Sequence, residues 1–226
     1  MPLEIQNLTK DYGPVVALKG VDLTIEPGLL HCLAGPNGSG KSTLLRILLG
    51  LTRPTDGTVT RPDSSRVGAS FQEPAFYDSL TVAENIDVFS ALAGRPDQEW
   101  IRKVIDVFHL SRVLHRQAAD LSGGYSKQLD LALSLLKEPD FLLLDEPLTD
   151  LDDLTGESLL SFLQEYAAAG NAVVVSSHRI EEFSPTLDRL TVMDKGTVVF
   201  DERREDINGA DTIERVYREA IENSGD

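Results

Sequence analysis

The sequence has little cysteine and no long apolar stretch. Cys32 is its single cysteine, so a disulfide within the chain is excluded. The run FLLL at residues 141–144 is as long as any aliphatic or aromatic run, whereas a membrane-spanning helix needs about 20 apolar residues. The opening residues, MPLEIQNLTKDYG, lack the basic stretch and apolar segment of a secretory signal. We therefore expect a cytosolic chain without a membrane span of its own.

Positive charge is also scarce. The 21 Lys and Arg residues are outnumbered by 37 Asp and Glu, which gives a formal net charge of −16. Because affinity for a nucleic-acid backbone comes from Lys and Arg that replace counterions, nucleic acid is not expected as a partner. With 41% apolar and 26% charged residues, the composition is otherwise that of an ordinary globular protein. The length fits one large α/β domain or two small ones.

Hydrophobic spacing predicts the order of strands and helices. Two alternating runs, 3–9 and 17–25, are separated by turn-forming residues and favour antiparallel pairing. Further strands are predicted at 31–34, 141–144 and 172–175, with a hairpin within 190–200 that turns at 194–196. Helices are predicted at 41–49, within 80–114, and at 125–137, 154–169 and 211–221. Because strands alternate with helices, we expect a mostly parallel sheet covered on both faces.

The stretch GPNGSGKS at residues 35–42 matches the phosphate-binding pattern G-x-x-x-x-G-K-[ST] between a predicted strand and helix. Its glycines let backbone N–H groups converge on an anion, and the start of the helix adds partial positive charge. We expect Lys41 to contact the β- and γ-phosphates and the Ser42 hydroxyl to bind Mg²⁺. The alternative, a merely flexible glycine turn, is disfavoured by this context. The candidate nucleotide-binding residues here are Gly35, Pro36, Asn37, Gly38, Ser39, Gly40, Lys41, Ser42 and Thr43.

Two carboxylates, Asp145 and Glu146, follow the predicted strand at 141–144. The carboxyl ends of strands are where ligands bind in open α/β sheets. Asp145 is expected to bind the metal, and Glu146 to face the γ-phosphate and polarise the attacking water. An acidic pair after a strand is often only a solvated strand end. The glycine loop in the same chain makes a catalytic pair the preferred interpretation.

A third motif, LSGG at residues 121–124, precedes a predicted helix. The three motifs at 35–43, 121–124 and 142–147 follow one another in this order. Their combination resembles the nucleotide-binding subunit of ATP-binding cassette (ABC) transporters over nearly the whole chain. The resemblance implies a single α/β domain, 1–226, with a P-loop NTPase core and an N-terminal antiparallel β subdomain. It assigns residues 1–72 and 138–226 to this core and 73–137 to an inserted α-helical subdomain.

The same resemblance implies two copies packed head to tail with ATP and Mg²⁺ between them, Ser122, Gly123 and Gly124 of one copy closing the ATP site of the other. It also suggests roles for Tyr12, which would stack on adenine, and for Asp150, whose loop would cross the dimer interface. Unaided, a lone aromatic residue more often packs than binds a ligand. Its position relative to the strong motifs makes binding the preferred interpretation.

Two more site residues follow from the resemblance. Gln72 is similar to the glutamine that links Mg²⁺ and the attacking water to the helical subdomain, and His178 to the histidine that contacts the γ-phosphate. The predicted catalytic set is therefore Lys41, Gln72, Glu146 and His178, and the predicted metal ligands are Ser42, Gln72 and Asp145. The other candidates, His31, His109, His115, Cys32 and Trp100, are expected to be structural or solvated.

The sequence departs from the family pattern near the LSGG motif. Tyr125 stands where glutamine is common, and Lys127 with Gln128 replaces a Gln-Arg pair. Leu148 replaces a small residue after Asp-Glu-Pro. These positions bear on contacts between the subdomains and on the interface loop rather than on nucleotide binding.

The expected function is ATP hydrolysis that drives transport through a separate membrane permease, with the chain peripheral on the cytoplasmic face of the membrane. Residues 78–86 resemble cassettes of bacterial exporters, which favours export over import. The alternatives are a non-transport ABC ATPase of DNA repair or ribosomes, a regulatory nucleotide-binding module, and a small-molecule kinase. Such non-transport proteins usually carry long inserts, zinc-binding cysteines or a second cassette. Glu146 argues against the regulatory module, and LSGG against the kinase.

Overall fold

The strands and helices alternate along most of the chain. The computed structural model describes residues 2–60, 66–94, 96–207 and 212–224. Within these ranges the strands are β1 Leu3–Tyr12, β2 Val15–Ile25, β3 Leu30–Ala34, β4 Asp56–Val59, β5 Val67–Ser70, β6 Phe141–Asp145, β7 Ala172–Ser177, β8 Arg189–Asp194 and β9 Thr197–Arg203. The α-helices are α1 Lys41–Leu48, α2 Val82–Leu92, α3 Gln98–Val107, α4 Gly123–Leu135, α5 Asp153–Ala168 and α6 Ile213–Asn223.

The central sheet has the strand order β5-β6-β7-β3-β8-β9. Its strands are parallel except for β9, which forms the predicted hairpin with β8 and pairs Asp194 with Thr197. Strands β3, β6 and β7 are buried along their whole length. Such continuous burial is typical of parallel strands covered on both faces. The predicted mostly parallel sheet is therefore confirmed.

A second, antiparallel sheet has the order β2-β1-β4. The pairing of β1 with β2, which places Leu3 opposite Ile25, confirms the antiparallel pairing predicted near the N-terminus. Strands β4 and β5 were not predicted from the sequence. Each is four residues long, and β4 is exposed at alternate residues, so neither offers an apolar run that stands out.

Two apolar cores lie on opposite faces of the central sheet. The side chains of Cys32 and Leu142 point to a core shared with helices α2 to α6. Those of Leu33 and Leu143 point to a core shared with α1 and the antiparallel sheet. The alternation follows from the two-residue period of a strand. Cys32 is fully buried, as predicted for a core residue, and burial raises the pKa of its thiol.

The predicted helical region 80–114 contains the two α-helices α2 and α3. Helix α2 begins with a capping box in which Thr81 and Glu84 bond reciprocally, and Asp97 caps α3. Helix α4 begins at Gly123, with Ser122 as its N-cap. Residue 211, at which the predicted helix 211–221 begins, lies outside the described residues. No helix in the described ranges combines the length and hydrophobicity needed to cross a membrane.

Buried His31 of β3 belongs to a polar network with Thr191 of β8 and Asp201 of β9. Its Nε2 lies 2.5 Å from Thr191 Oγ1, which donates to Asp201 Oδ1 at 2.7 Å. Since the hydroxyl proton goes to Asp201, His31 donates through Nε2 and its buried Nδ1 has no hydrogen-bond partner in the described part of the chain. Burial, partly offset by the nearby Asp201 carboxylate, lowers the pKa of His31 to about 4. The ring is therefore neutral at physiological pH, in agreement with a structural role.

We predict that the free energy of unfolding decreases as the pH falls from 6.5 towards 4. In this window the unfolded chain binds a proton at His31 that the folded chain does not, which costs up to about 1.4 kcal/mol per pH unit. Below the folded-state pKa both states bind the proton, so the contribution of His31 to the free energy of unfolding stays constant. Urea unfolding across this window measures the slope, which His31→Gln should reduce and the exposed His115→Asn should leave unchanged. A His31 NMR titration near the ordinary pKa would contradict the prediction.

Candidate functional site

The glycine-rich loop joins the end of β3 to the start of α1. Two of its glycines have positive φ angles and touch neighbouring backbone: φ is +155° at Gly35 and +107° at Gly40. A Cβ at Gly35 would overlap the backbone oxygen of Met193, and one at Gly40 would lie 2.7 Å from that of Ala17. The absence of side chains thus lets the loop pack directly against β8 and β2.

This loop presents hydrogen-bond donors that have no acceptor among the described residues. The amides of Lys41, Ser42 and Thr43 form the first turn of α1 and have no partner within the helix. The N-cap residue, Gly40, supplies no capping side chain. Ser39 Oγ is buried and has no hydrogen-bond partner in the described ranges. Free amides at a helix start fit phosphate oxygens, so the cradle suits the phosphates of a nucleotide.

The side chain of Lys41 is folded onto this loop. Its Nζ donates to the backbone oxygens of Gly35 at 2.7 Å and Pro36 at 3.2 Å. Burial lowers the pKa of Lys41, and the Glu146 and Asp145 carboxylates partly offset the effect. The lysine thus brings a positive charge to the loop, next to the two carboxylates predicted from the sequence.

Ser176 of the neighbouring strand contacts the carboxylate of Asp145 and the backbone amide of Glu146. Asp145 and Ser176 are paired in the β6–β7 register, and the Ser176 hydroxyl donates to Asp145 Oδ1. The Glu146 amide lies 3.1 Å from Ser176 Oγ and 3.2 Å from its backbone oxygen. Glu146 has a left-handed backbone, with φ of +50°. Its Oε1 lies 2.8 Å from His178 Nδ1. Sequence reasoning missed Ser176, whose role becomes visible only with the strand register.

The loop and one of the carboxylates line a single cleft of about 540 Å³. Its lining residues are Tyr12, Val15, Val16, Ala17, Asn37, Gly38, Ser39, Gly40, Lys41, Ser42, Thr43, Gln72 and Glu146. A second cavity, of about 250 Å³, adjoins it and is lined by Asn37, Gln72, Lys127, Glu146, Thr149, Asp150 and His178. The structure therefore brings together candidate residues that the sequence places far apart.

At the rim of this cleft, Tyr12 is 48% exposed. The Nζ of Lys10 lies 4.8 Å from the centroid of its ring. The ring is therefore not packed in a core, which was the alternative interpretation of this residue. An exposed aromatic face at a cleft rim can stack on a planar ligand.

Within the described ranges no three His, Cys, Asp or Glu side chains are close enough to hold a metal by themselves. Mg²⁺ commonly takes only one or two protein ligands and completes its octahedron with phosphate oxygens and water. Asp145 offers a buried carboxylate, and Ser42 and Gln72 offer neutral oxygens at the cleft wall. This donor set fits Mg²⁺ in the company of a bound phosphate.

The predicted residues Ser122, Gly123 and Gly124 do not join this cleft. Ser122 caps α4 by accepting a hydrogen bond from the Tyr125 amide at 3.5 Å. A separate cavity of about 310 Å³ is lined by His109, Arg112, Ser122, Gly124, Tyr125, Gln128, Asp152, Leu154 and Thr155. It shares no lining residue with the cleft. Within one chain, the LSGG segment therefore lines a different cavity from the glycine loop.

The comparisons with known proteins agree with one another. A family model described as "ABC transporter" matches residues 18–149. The lantibiotic transport ATP-binding protein SrtF of Streptococcus pyogenes is 29% identical over 97% of both chains. The bacitracin transport ATP-binding protein BcrA of Enterococcus faecalis is 32% identical over 87% of this chain and 68% of its own. Nod factor export ATP-binding protein I of Cupriavidus metallidurans is 32% identical over 97% of this chain and 78% of its own.

Solved structures show the same fold. The ATP-binding subunit of an ABC transporter superposes with a TM-score of 0.89 at 24% identity, covering 98% of this chain and all of that one. A dimeric bacterial ABC transporter cassette, 28% identical, has a TM-score of 0.79 over 89% of this chain and 98% of its own. A second structure, of a dimeric cassette in a post-hydrolysis state with ADP and Pi, has a TM-score of 0.77 at 28% identity, over 89% and 98% of the two chains.

We predict that Gly40→Ala destabilises the protein and weakens its affinity for MgATP at least about tenfold, because a Cβ there displaces the loop from β2. The matched control is Gly50→Ala, since Gly50 also has a positive φ but nothing within 4 Å of its Cβ position. It should cost about 1 kcal/mol of stability and leave the affinity unchanged. Calorimetric titration with MgATP and thermal unfolding measure both effects, and parental affinity in Gly40→Ala would contradict the prediction.

Proposed function

Because the chain belongs to the ABC transporter family as an ATP-binding subunit, we propose that it hydrolyses ATP in the cleft beside α1 to drive transport through a separate membrane permease. The observation that supports this most strongly is the convergence of the glycine loop, Gln72 and Glu146 on one cleft. The LSGG segment lines a different cavity, which is consistent with an ATP site that is closed by a second copy.

The proposed roles follow the chemistry of each side chain. Tyr12 stacks on adenine, and the loop from Gly35 to Thr43 cradles the phosphates with its amides. Lys41 exchanges its contacts with loop carbonyls for the β- and γ-phosphates. Ser42, Gln72 and Asp145 hold Mg²⁺, which neutralises phosphate charge when it is bound.

Glu146 is proposed to orient the attacking water. Its carboxylate is fixed through the backbone bonds to Ser176 and through the 2.8 Å contact with His178. A fixed carboxylate at the γ-phosphate end of the cleft can accept a proton from water as the bond to phosphorus forms. His178 lines the adjoining cavity and is proposed to contact the γ-phosphate. Catalysis then depends mainly on positioning and charge balance, as in other phosphoryl transfers.

We infer a second copy of the chain as a partner. Ser122 and Gly123 are exposed at the start of α4, where free amides favour an anion. In a head-to-tail dimer these residues, with Gly124, close the ATP site of the other copy. The dimeric cassette with 28% identity supports this arrangement. Hydrolysis shortens the bridging anion, so the two copies separate by a shift between open and closed populations.

Export is the direction we propose, at the cytoplasmic face of the membrane. The relatives are named for lantibiotic transport, bacitracin transport and Nod factor export, which favours transport over DNA repair or ribosome function. The permease provides the membrane path, since the described helices offer none. A net charge of −16 also argues against a nucleic-acid partner.

We predict that Glu146→Gln binds MgATP with an affinity within about threefold of the parent while turnover falls at least about hundredfold, because only the proton acceptor is lost. The bound ATP should then hold the variant as a persistent dimer. Steady-state hydrolysis, calorimetry and sedimentation with ATP measure these effects. The exposed Glu157→Gln on α5 is the matched control and should behave as the parent. Hydrolysis at the parental rate would remove Glu146 from this role.

Mixed dimers test whether each ATP site uses two chains. Lys41→Met and Ser122→Arg should each be inactive alone, but mixing them produces dimers with one intact composite site, so hydrolysis should reappear. Mixing Lys41→Met with Glu146→Gln is the control, since both changes impair the same half of a site and no intact site can form. Equal activity of the two mixtures would show that the sites are not shared.

A further inference from the structure

Lys127, on the second turn of α4, is a buried lysine whose contacts converge on the catalytic region. Only 5% of its surface is exposed. Its Nζ donates to the backbone oxygen of Phe71 at 3.1 Å and to that of Asp145 at 3.4 Å. Phe71 directly precedes Gln72, and Asp145 directly precedes Glu146. The Lys127 ammonium group therefore bonds to the peptide units just before Gln72 and Glu146. These are the residues predicted to contact Mg²⁺ and the attacking water.

Asp130, three residues further along α4, holds the same loop at both ends. Its Oδ2 accepts a hydrogen bond from Ser70 Oγ at 2.5 Å, and its Oδ1 accepts one from the Ala75 amide at 2.8 Å. Lys127 Nζ also lies 3.4 Å from Ser70 Oγ. The segment 70–75, with the exposed Gln72 at its centre, is thus fastened to one face of α4 by two side chains.

Both groups are buried, and their polar partners compensate for the loss of water. Burial lowers the pKa of Lys127, while the carboxylates of Asp130, Asp145, Asp150 and Glu146 oppose that shift. Burial raises the pKa of Asp130, opposed by the Ser70 hydroxyl, the Ala75 amide and the Lys127 charge. An apolar pair would fill this space without the cost of burying charge. A purely packing role therefore does not account for the residue types.

We propose that Lys127 and Asp130 are positioning residues, forming a clasp by which helix α4 sets the positions of Gln72 and Glu146. The argument rests on the proposed function, since it concerns the same hydrolysis. The first turn of α4 carries Gly123 and Gly124, and the clasp lies on the turns that follow. A displacement of α4 therefore moves Gly123 and Gly124 together with the clasp. Lys127 also lines the cavity shared by Gln72, Glu146 and His178, so the clasp borders the reacting groups directly.

The test compares Lys127→Met, which keeps most of the side chain but removes the ammonium group, with Asp130→Asn and with Lys127→Arg. Lys127→Met should lower kcat about ten- to hundredfold, the scale expected when catalytic groups shift by ~1 Å, while the dissociation constant for MgATP stays within about threefold. Asp130→Asn should show a smaller loss of kcat at unchanged affinity. Lys127→Arg should have a higher kcat than Lys127→Met, because it keeps the positive charge and the hydrogen-bond donors.

A second measurement does not depend on activity. Hydrogen exchange of the nucleotide-free protein should become faster in Lys127→Met in both segments that the ammonium joins, 71–75 and 145–149, and stay unchanged in the phosphate-binding loop. The exposed Lys137→Met, just beyond α4, is the matched control for charge and should keep parental kcat and exchange.

Parental kcat in Lys127→Met would overturn the clasp, as would a loss of ATP affinity equal to the loss of kcat with exchange raised throughout the chain. If Lys127→Met does not fold, Ser70→Ala, which removes one bond to Asp130, must lower kcat at unchanged ATP affinity, and parental kcat in that variant overturns the proposal. A parent that binds and hydrolyses no ATP would instead refute the proposed function, so the two failures are distinguishable.

Discussion

The geometry of the cleft depends on the direct contact of the glycine loop with the backbones of two strands. Because Gly35 and Gly40 have no side chains, the loop lies against the oxygens of Met193 and Ala17, and α1 starts where the parallel strands end. The amides of its first turn are then left without internal partners at the edge of the sheet. The same edge holds Asp145 and Glu146, so donors for phosphate and acceptors for water and metal meet in one place.

Local sequence predicts the parts of this fold that have strong local patterns. The central strands β3, β6 and β7 are apolar throughout because both faces are covered, and the glycine loop has a distinctive residue spacing. Strand β5 escaped prediction for a physical reason. A Cβ at its Gly68 would overlap the backbone oxygen of Ser134 in α4, so close packing of the helix demands glycine where an apolar strand pattern would have a side chain.

The contacts that position the proposed catalytic groups are harder to predict, because their partners lie far apart in the chain. Ser176 contacts both the Asp145 carboxylate and the Glu146 amide only because the parallel register places it opposite Asp145. Lys127 was noted from the sequence as a departure from the family pattern, but its partners belong to β6 and to the segment after β5. Residue spacing within one segment does not predict which distant residues contact each other. The strand register and the helix packing supply it.

Helix α4 connects two places that would belong to different ATP sites in the proposed dimer. Its start, with Ser122 and Gly124, lines a cavity separate from the cleft of its own chain and would close the site of the partner. Its second and third turns reach into the site of its own chain through Lys127 and Asp130. In the proposed dimer, a shift of α4 as a rigid unit at one site would displace the 70–75 loop and Glu146 at the other. Helix α4 and the residues it contacts would then form a contiguous physical route for coupling between the two ATP sites.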